Sequence, residues 1–358
     1  MWPDRRLLDL LRIDRPIVLA PMAGVMDTDL AIAVAEGGGL ASLPMAMLDD
    51  AKMRAEVETF RAATDKPLNL NFFTHTPPAP DAAREQSWRD SLKPFYAEYG
   101  IDPAADMPSS NRRPFDDAIC ATVEELRPEV VSFHFGLPDK ALLDRVKAVG
   151  CVVMGCATTA AEARWLEAHG CDVVIAQGAE AGGHRGMFLT DDVASQPGTL
   201  ALVPQVVDAV AVPVIAAGGI GDARGIVAAM ALGAAAVQIG TAYLFTPESK
   251  PLPPHRAALR SARDDGTVVT NVMTGRPARG FVNRVMRERG PLSAVAPAFP
   301  LAGGALAPLH AKAQAQGSGD FSTMWAGQAA SLGREMPARD LTIQLADEAQ
   351  ALMRRLAR

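Results

Sequence analysis

Eight short apolar runs, mostly twenty-odd residues apart, constrain this chain more than any other feature. They fall at 17–22 (IVLAPM), 40–45 (LASLPM), 67–73 (PLNLNFF) and 130–135 (VVSFHF). The set continues at 151–156 (CVVMGC), 172–177 (DVVIAQ), 213–218 (PVIAAG) and 235–240 (AAVQIG). Each is six or seven residues long, and the sixth, small, apolar or β-branched through Ala176 apart from its opening Asp172, has the pattern of a strand buried on both faces. Segments of helical composition lie between them at 28–36, 51–63, 139–149, 160–169 and 222–232. A strand, a helix and two loops fill one repeat, and eight repeats predict a closed (β/α)8 barrel over an open doubly wound sheet.

Two intervals exceed one repeat. The first, 74–113, holds a proline-rich piece (HTPPAP), an aromatic helix-like piece (WRDSLKPFYAEYG) and a polar loop (MPSSNRRP). The second continues from the sixth run through RGMFLTDDVASQPG. Both follow strand C-termini, where barrels carry functional loops. The tail beyond 246 is longer than a last barrel helix requires. It is expected to form a mostly helical lobe over the barrel mouth, ending in a helix with Leu341, Leu345, Leu352 and Leu356 on one face. The predicted organisation is a barrel over 1–246, with the 74–113 insertion, and a capping lobe over 247–358.

Composition excludes several classes. The net charge of -6, without a basic block, argues against a nucleic-acid partner. No apolar window reaches membrane-spanning length, and residues 7–11 are too short a run for a secretory signal. Cys120, Cys151, Cys156 and Cys171 form no CxxC pair and read as core residues of a reduced, cytoplasmic protein.

The chemistry concentrates after the sixth run, in DVVIAQGAEAGGHRG at 172–186. Glycines let the backbone approach a flat ligand, and His184 can exchange a proton near neutral pH. His184 is the expected catalytic residue. His134 either lines the same pocket or fills a core layer, whereas His75, His169, His255 and His310 read as caps or solvent-facing residues. Amide side chains at three strand ends, Asn71, Gln177 and Gln238, can both donate and accept, which suits the polar edge of an isoalloxazine ring. GGIGD at 218–222 and QIGT at 238–241 place glycine backbones after strands seven and eight, where barrels bind phosphate. No HxH, HExxH or GxSxG pattern is present, so neither a metal site nor a serine nucleophile is expected.

APMAGVM (20–26), NFF (71–73), SFHFGLP (132–138), VVIAQGAEAGGHRG (173–186) and AAVQIGTAYLFTPES (235–249) resemble the nitronate monooxygenases, formerly 2-nitropropane dioxygenases. TGRPARGFVNRVM and WAGQ extend the likeness into the tail, and the first class of these enzymes is the closest in pattern. The resemblance implies a TIM barrel with non-covalent FMN and no metal. It places Met22, Asn71 and Gln177 against the flavin ring, and Gly182, Gly218, Gly219, Gln238, Gly240 and Thr241 at its phosphate end. It sets His184 above the ring, facing the substrate. The implied partners are a small nitronate and O2, with a homodimer allowed for. The pattern departs in the tail: no tyrosine follows Tyr243, and Lys312 is the only lysine after Lys250. Phe299, Leu301 and neighbouring alanines make that wall apolar. Rival readings are an NAD(P)H-dependent FMN reductase of the enoyl-acyl-carrier-protein or quinone type, and a phosphate-binding sensor barrel. An inosine monophosphate dehydrogenase type lacks its loop cysteine here.

Overall fold

A computed structural model of the chain describes residues 2–104, 107–108 and 112–358. Part of the predicted polar loop, at 109–111, therefore lies outside the described residues. Eight parallel strands form the central sheet: β1 (Ile17–Leu19), β2 (Ala41–Pro44), β3 (Leu68–Phe73), β4 (Val130–His134), β5 (Val152–Ala157), β6 (Val173–Gln177), β8 (Val214–Ala217) and β9 (Ala236–Ile239). Between β6 and β8 lies the two-residue strand β7 (Gly183–His184), which belongs to a separate sheet with β10 (Thr267–Thr270) and β11 (Ala278–Phe281).

The parallel order is β1-β9-β8-β6-β5-β4-β3-β2, and the bridge from Val18 to Leu40 joins the two ends. Leu40 donates to Ile17 at 2.9 Å and its carbonyl accepts from Leu19 at 3.0 Å. A parallel strand with both faces covered must be apolar throughout, and β1, β6 and β8 are buried at every residue. All eight predicted strands are present, shifted by no more than a few residues at their ends. Each of the five helical segments forms, as Thr28–Glu36, Asp50–Ala63, Lys140–Ala148, Ala160–Ala168 and Ala223–Ala231. The barrel is thus a (β/α)8 barrel.

The long insertion and the tail make one body. Helix Ala82–Glu98 packs Trp88, Leu92, Phe95 and Tyr96 into a second core with Met273, Met286, Leu306, Leu309 and Phe321. Trp88 Nε1 donates to the carbonyl of Ala302 at 3.1 Å, and the Tyr96 hydroxyl to that of Ala305 at 2.6 Å. Helix Ala302–Ala315 tolerates Gly303, Gly304 and Pro308 because this packing holds it. The tail also contains a hairpin that its helix-like composition concealed: β10 pairs antiparallel with β11, and β11 with β7.

The final helix, Ala338–Leu356, lies against helices Thr28–Glu36 and Ala223–Ala231 on the flank of the barrel. Leu341 and Leu345 are buried there, and the Tyr243 hydroxyl meets Thr342 Oγ1 at 2.7 Å. Its last turn runs clear of the body, and Leu356 is 69% exposed despite sharing the apolar stripe. Among the described residues, no helix is long and apolar enough to cross a membrane.

Candidate active site

The strand interiors are closed, but the residues just past their C-termini are partly open: Met22, Gly182, His184, Gly218, Gln238, Gly240 and Thr241 are half-buried and Gly219 is exposed. The site is built there. Its spine is the loop after β6, and several interactions fix that loop. Arg185, fully buried, donates from Nη2 to the carbonyl of Gln177 (2.9 Å) and from Nη1 to that of Gly178 (2.8 Å). Its Nε donates to Gln196 Oε1 at 2.6 Å. Burial lowers its pKa to about 10, so it remains a cation at neutral pH. Glu180 accepts from the backbone N–H and hydroxyl of Thr199, each at 2.8 Å, and supplies the cap that Gly198 cannot give helix Thr199–Val207.

Glu162, also fully buried, accepts from the N–H of Thr158 (2.7 Å) and of Phe188 (2.7 Å), joining the end of β5 to the chain beyond His184. Gly182 must be glycine because the WAGQ segment crosses it: a Cβ would come within 2.6 Å of the Ala326 carbonyl carbon and the Gly327 nitrogen. Glu180 stands out in the sequence only as part of the polar loop, without a role, and Arg185 and Glu162 not at all. The available signal was three charged residues set among glycines and apolar runs.

His184 sits where this loop pairs with β11, in register with Ala278. Its Nε2 lies 2.9 Å from Thr274 Oγ1. The Thr274 hydroxyl in turn donates to the carbonyl of Arg276 at 3.4 Å, which orients it to accept from His184 and leaves Nδ1 as the ring's free lone pair. Four aromatic rings enclose the imidazole: Phe299 at 5.3 Å, Trp325 at 5.6 Å, Phe135 at 6.0 Å and Phe73 at 6.1 Å between centroids. Burial, followed by the charges of Arg112 and Arg276, holds the His184 pKa well below 6.5. The ring is neutral at neutral pH.

His134 Nε2 meets the carbonyl of His184 at 3.1 Å, and its ring stacks at a tilt on Phe135. It therefore supports the His184 loop from within the pocket wall. His75 differs from its expected solvent-facing place: it is buried, with its ring 4.8 Å from Phe299. His255 is buried as well, with Nε2 on the Trp325 carbonyl at 3.1 Å. Residues far along the chain cover both, Phe299 over His75 and Trp325 over His255, which local composition could not anticipate.

The three amides divide in role. Gln177 accepts from Gly186 N–H (2.8 Å) and donates to the His184 carbonyl (3.0 Å), and Asn71 donates to Ser132 Oγ at 2.9 Å. Gln238 differs, because its Oε1 is buried without a partner among the described residues. Thr241 accepts from Gly327 N–H at 2.9 Å. A Cβ on Gly240 would lie 3.4 Å from Met22 Sδ, so those two residues share one wall. Gly218 and Gly219 take φ of +108° and +69°, a turn open to glycine, and face Ala181 and Glu180 of the neighbouring loop. Among the described residues, the N–H groups of Gly219, Ile220, Gly240 and Thr241 donate to no other backbone carbonyl.

Family comparison decides the assignment. The nitronate monooxygenase family model matches residues 4–348. The chain belongs to the nitronate monooxygenase family. A nitronate monooxygenase of Pseudomonas aeruginosa is 44% identical, over 96% of this chain and 98% of its own length. A solved nitroalkane oxidase from Streptomyces ansochromogenes superposes with a TM-score of 0.89 at 39% identity, covering 98% of this chain and 99% of its own. The solved FabK of Thermotoga maritima gives 0.76 at 29% identity, covering 98% of each chain. The chain is accordingly an oxidoreductase.

The neutral histidines have a cost at low pH. Burial lowers His75, His134 and His255 to about 4, and His184 lies well below 6.5. The unfolded chain takes up protons on these rings below about 6.5, whereas the folded chain does not. Their stabilising contribution is complete above pH 6.5 and is lost as pH falls toward 4. The urea midpoint should therefore decline steadily from pH 7 to pH 5, before the carboxylates titrate. A midpoint constant over that range would show that the rings are not held neutral.

Proposed function

We propose that this chain is an FMN-dependent nitronate monooxygenase that consumes O2 and releases a carbonyl compound and nitrite from an alkyl nitronate, or from the parent nitroalkane. The observation that carries the reading is one mouth holding both an enclosed neutral imidazole and an unspent polar cradle. The cradle fits the cofactor: N–H groups without backbone acceptors at Gly219, Ile220, Gly240 and Thr241 suit a phosphate, and the orphaned Gln238 Oε1 suits a ring N–H. Gly182 and Gly218 let the WAGQ segment and the Ala181 loop close against that cradle. Met22, Asn71 and Gln177 line the ring end, with Phe299 and His134 walling the substrate. FMN held there would supply the electron transfer between substrate and O2.

The protein's part is position and proton control. The aromatic box excludes water and holds the alkyl body. His184 Nδ1 is placed to take the α-proton of a neutral nitroalkane, a task that requires an unprotonated ring. A protonated His184, which would offset a nitronate's charge, does not suit this enclosure. Residues 1–246 supply the cofactor cradle, and the tail with the 74–113 insertion supplies the cap over it. Cytoplasmic residence and a homodimer belong to this reading as well.

The similarity to FabK favours the NAD(P)H-dependent reductase as a second reading. One experiment separates the two. The purified protein should be yellow with about one FMN per chain, and anaerobic ethyl nitronate, but not NADH, should bleach it. Bleaching by NADH alone would transfer the chain to the reductases, and a colourless protein that binds no FMN would end both readings.

A further inference from the structure

Next to the His184 box lies a cavity of about 560 Å³ whose lining includes His75, Arg84, Asp191, Asn271, Arg276 and Phe299. Phe299 is the shared wall, with its ring on His75 from one side and on His184 from the other. Three of the lining side chains carry a buried nitrogen with no hydrogen-bond partner: Arg84 Nε, Arg276 Nε and His75 Nδ1. Arg276 is held by its Nη2 on the Met187 carbonyl and by the face of Phe135, 4.0 Å from the guanidinium carbon. Among the described residues, neither arginine forms an ion pair. The acid on this wall, Asp191, is exposed and acts on Arg276 only through space, as does the buried Glu162.

A desolvated guanidinium without a carboxylate is costly unless something anionic completes it. The flat fork of arginine matches a planar group with two oxygens. We infer that Arg276 and Arg84 form a binding site for a planar two-oxygen anion, distinct from His184, that captures the charged end of the substrate. Carboxylate and nitronate share that shape, so the ligand is either the nitronate group itself or a carboxylate elsewhere on the substrate. Since burial keeps His75, His134 and His184 uncharged, arginine is the fixed positive charge available beside the box. The inference deepens the proposed function by naming what recognises the substrate's charge.

Anaerobic calorimetry on the protein loaded with already reduced FMN, which cannot take electrons from the nitronate, tests it, with acetate and ethyl nitronate as separate probes and R276Q, R276K and R84Q as variants. At least one probe should bind the unaltered protein and weaken tenfold or more in R276Q and in R84Q, with R276K intermediate because it keeps the charge and loses the fork. Weakened acetate binding assigns the site to a substrate carboxylate; weakening of ethyl nitronate alone assigns it to the nitronate group. Should R276Q fail to fold, R84Q decides, since the Arg84 guanidinium donates no hydrogen bond among the described residues. Affinities within twofold of the unaltered protein for both probes, or no binding of either probe, overturn the inference. Acetate binding needs no turnover, so a failure here is distinguishable from a failure of the denitrification reading.

Discussion

Replacing His184 with asparagine should lower turnover of a neutral nitroalkane by about 10²- to 10⁴-fold, the usual contribution of a positioned general base. FMN content should be unchanged, because the imidazole's hydrogen bond goes to Thr274 while the polar cradle lies in the loops after β8 and β9. In the unaltered protein the ring is already neutral well below pH 6.5, so kcat/KM for the nitroalkane should not fall as pH drops from 8 to 6. Stopped-flow reduction of the flavin across that range measures both effects. Equal rates in the asparagine variant, for nitroalkane and nitronate alike, would remove His184 from the chemistry. A rate that instead halves near pH 6.5 would mean that the ring is solvated and carries an ordinary pKa.

The second large effect is on stability and falls on the neighbouring residue. Arg185→Met keeps much of the buried volume but strips three donors from the carbonyls of Gln177 and Gly178 and from Gln196 Oε1. Charge-assisted bonds contribute about 1.5 kcal/mol each at the low end, so the loss should be about 4.5 kcal/mol, read as a lower urea midpoint at unchanged slope. Arg185→Lys should recover part of it, because a point charge satisfies one carbonyl and not the fork. The same carbonyls end β6 and start the histidine loop, so the methionine variant should also lose activity. A midpoint within ~1 kcal/mol of the parent would show that water replaces the guanidinium and that the loop is held elsewhere, by Glu180 and Glu162.

Sequence and tertiary structure carry different information about this protein. Local pattern determines the barrel: runs such as VVIA at 173–176 or VIAA at 214–217 are apolar throughout, which a strand covered on both faces requires, and their regular spacing leaves room for one helix each. It also determines that His184 and the glycines at 218–219 and 240 arrive together, because barrel strands end on one rim. What surrounds the histidine was not legible. Thr274, Arg276, Phe299 and Trp325 come from a tail that lies ninety or more residues beyond it, and a hairpin register brings Ala278 opposite His184. The union of helix Ala82–Glu98 with helix Ala302–Ala315 likewise depends on contacts between segments about 200 residues apart. Periodicity reports which face of an element is apolar and says nothing about which distant element will cover it. That choice is made by shape and burial in the folded chain, and burial is what leaves the imidazole uncharged beside two unpaired guanidiniums.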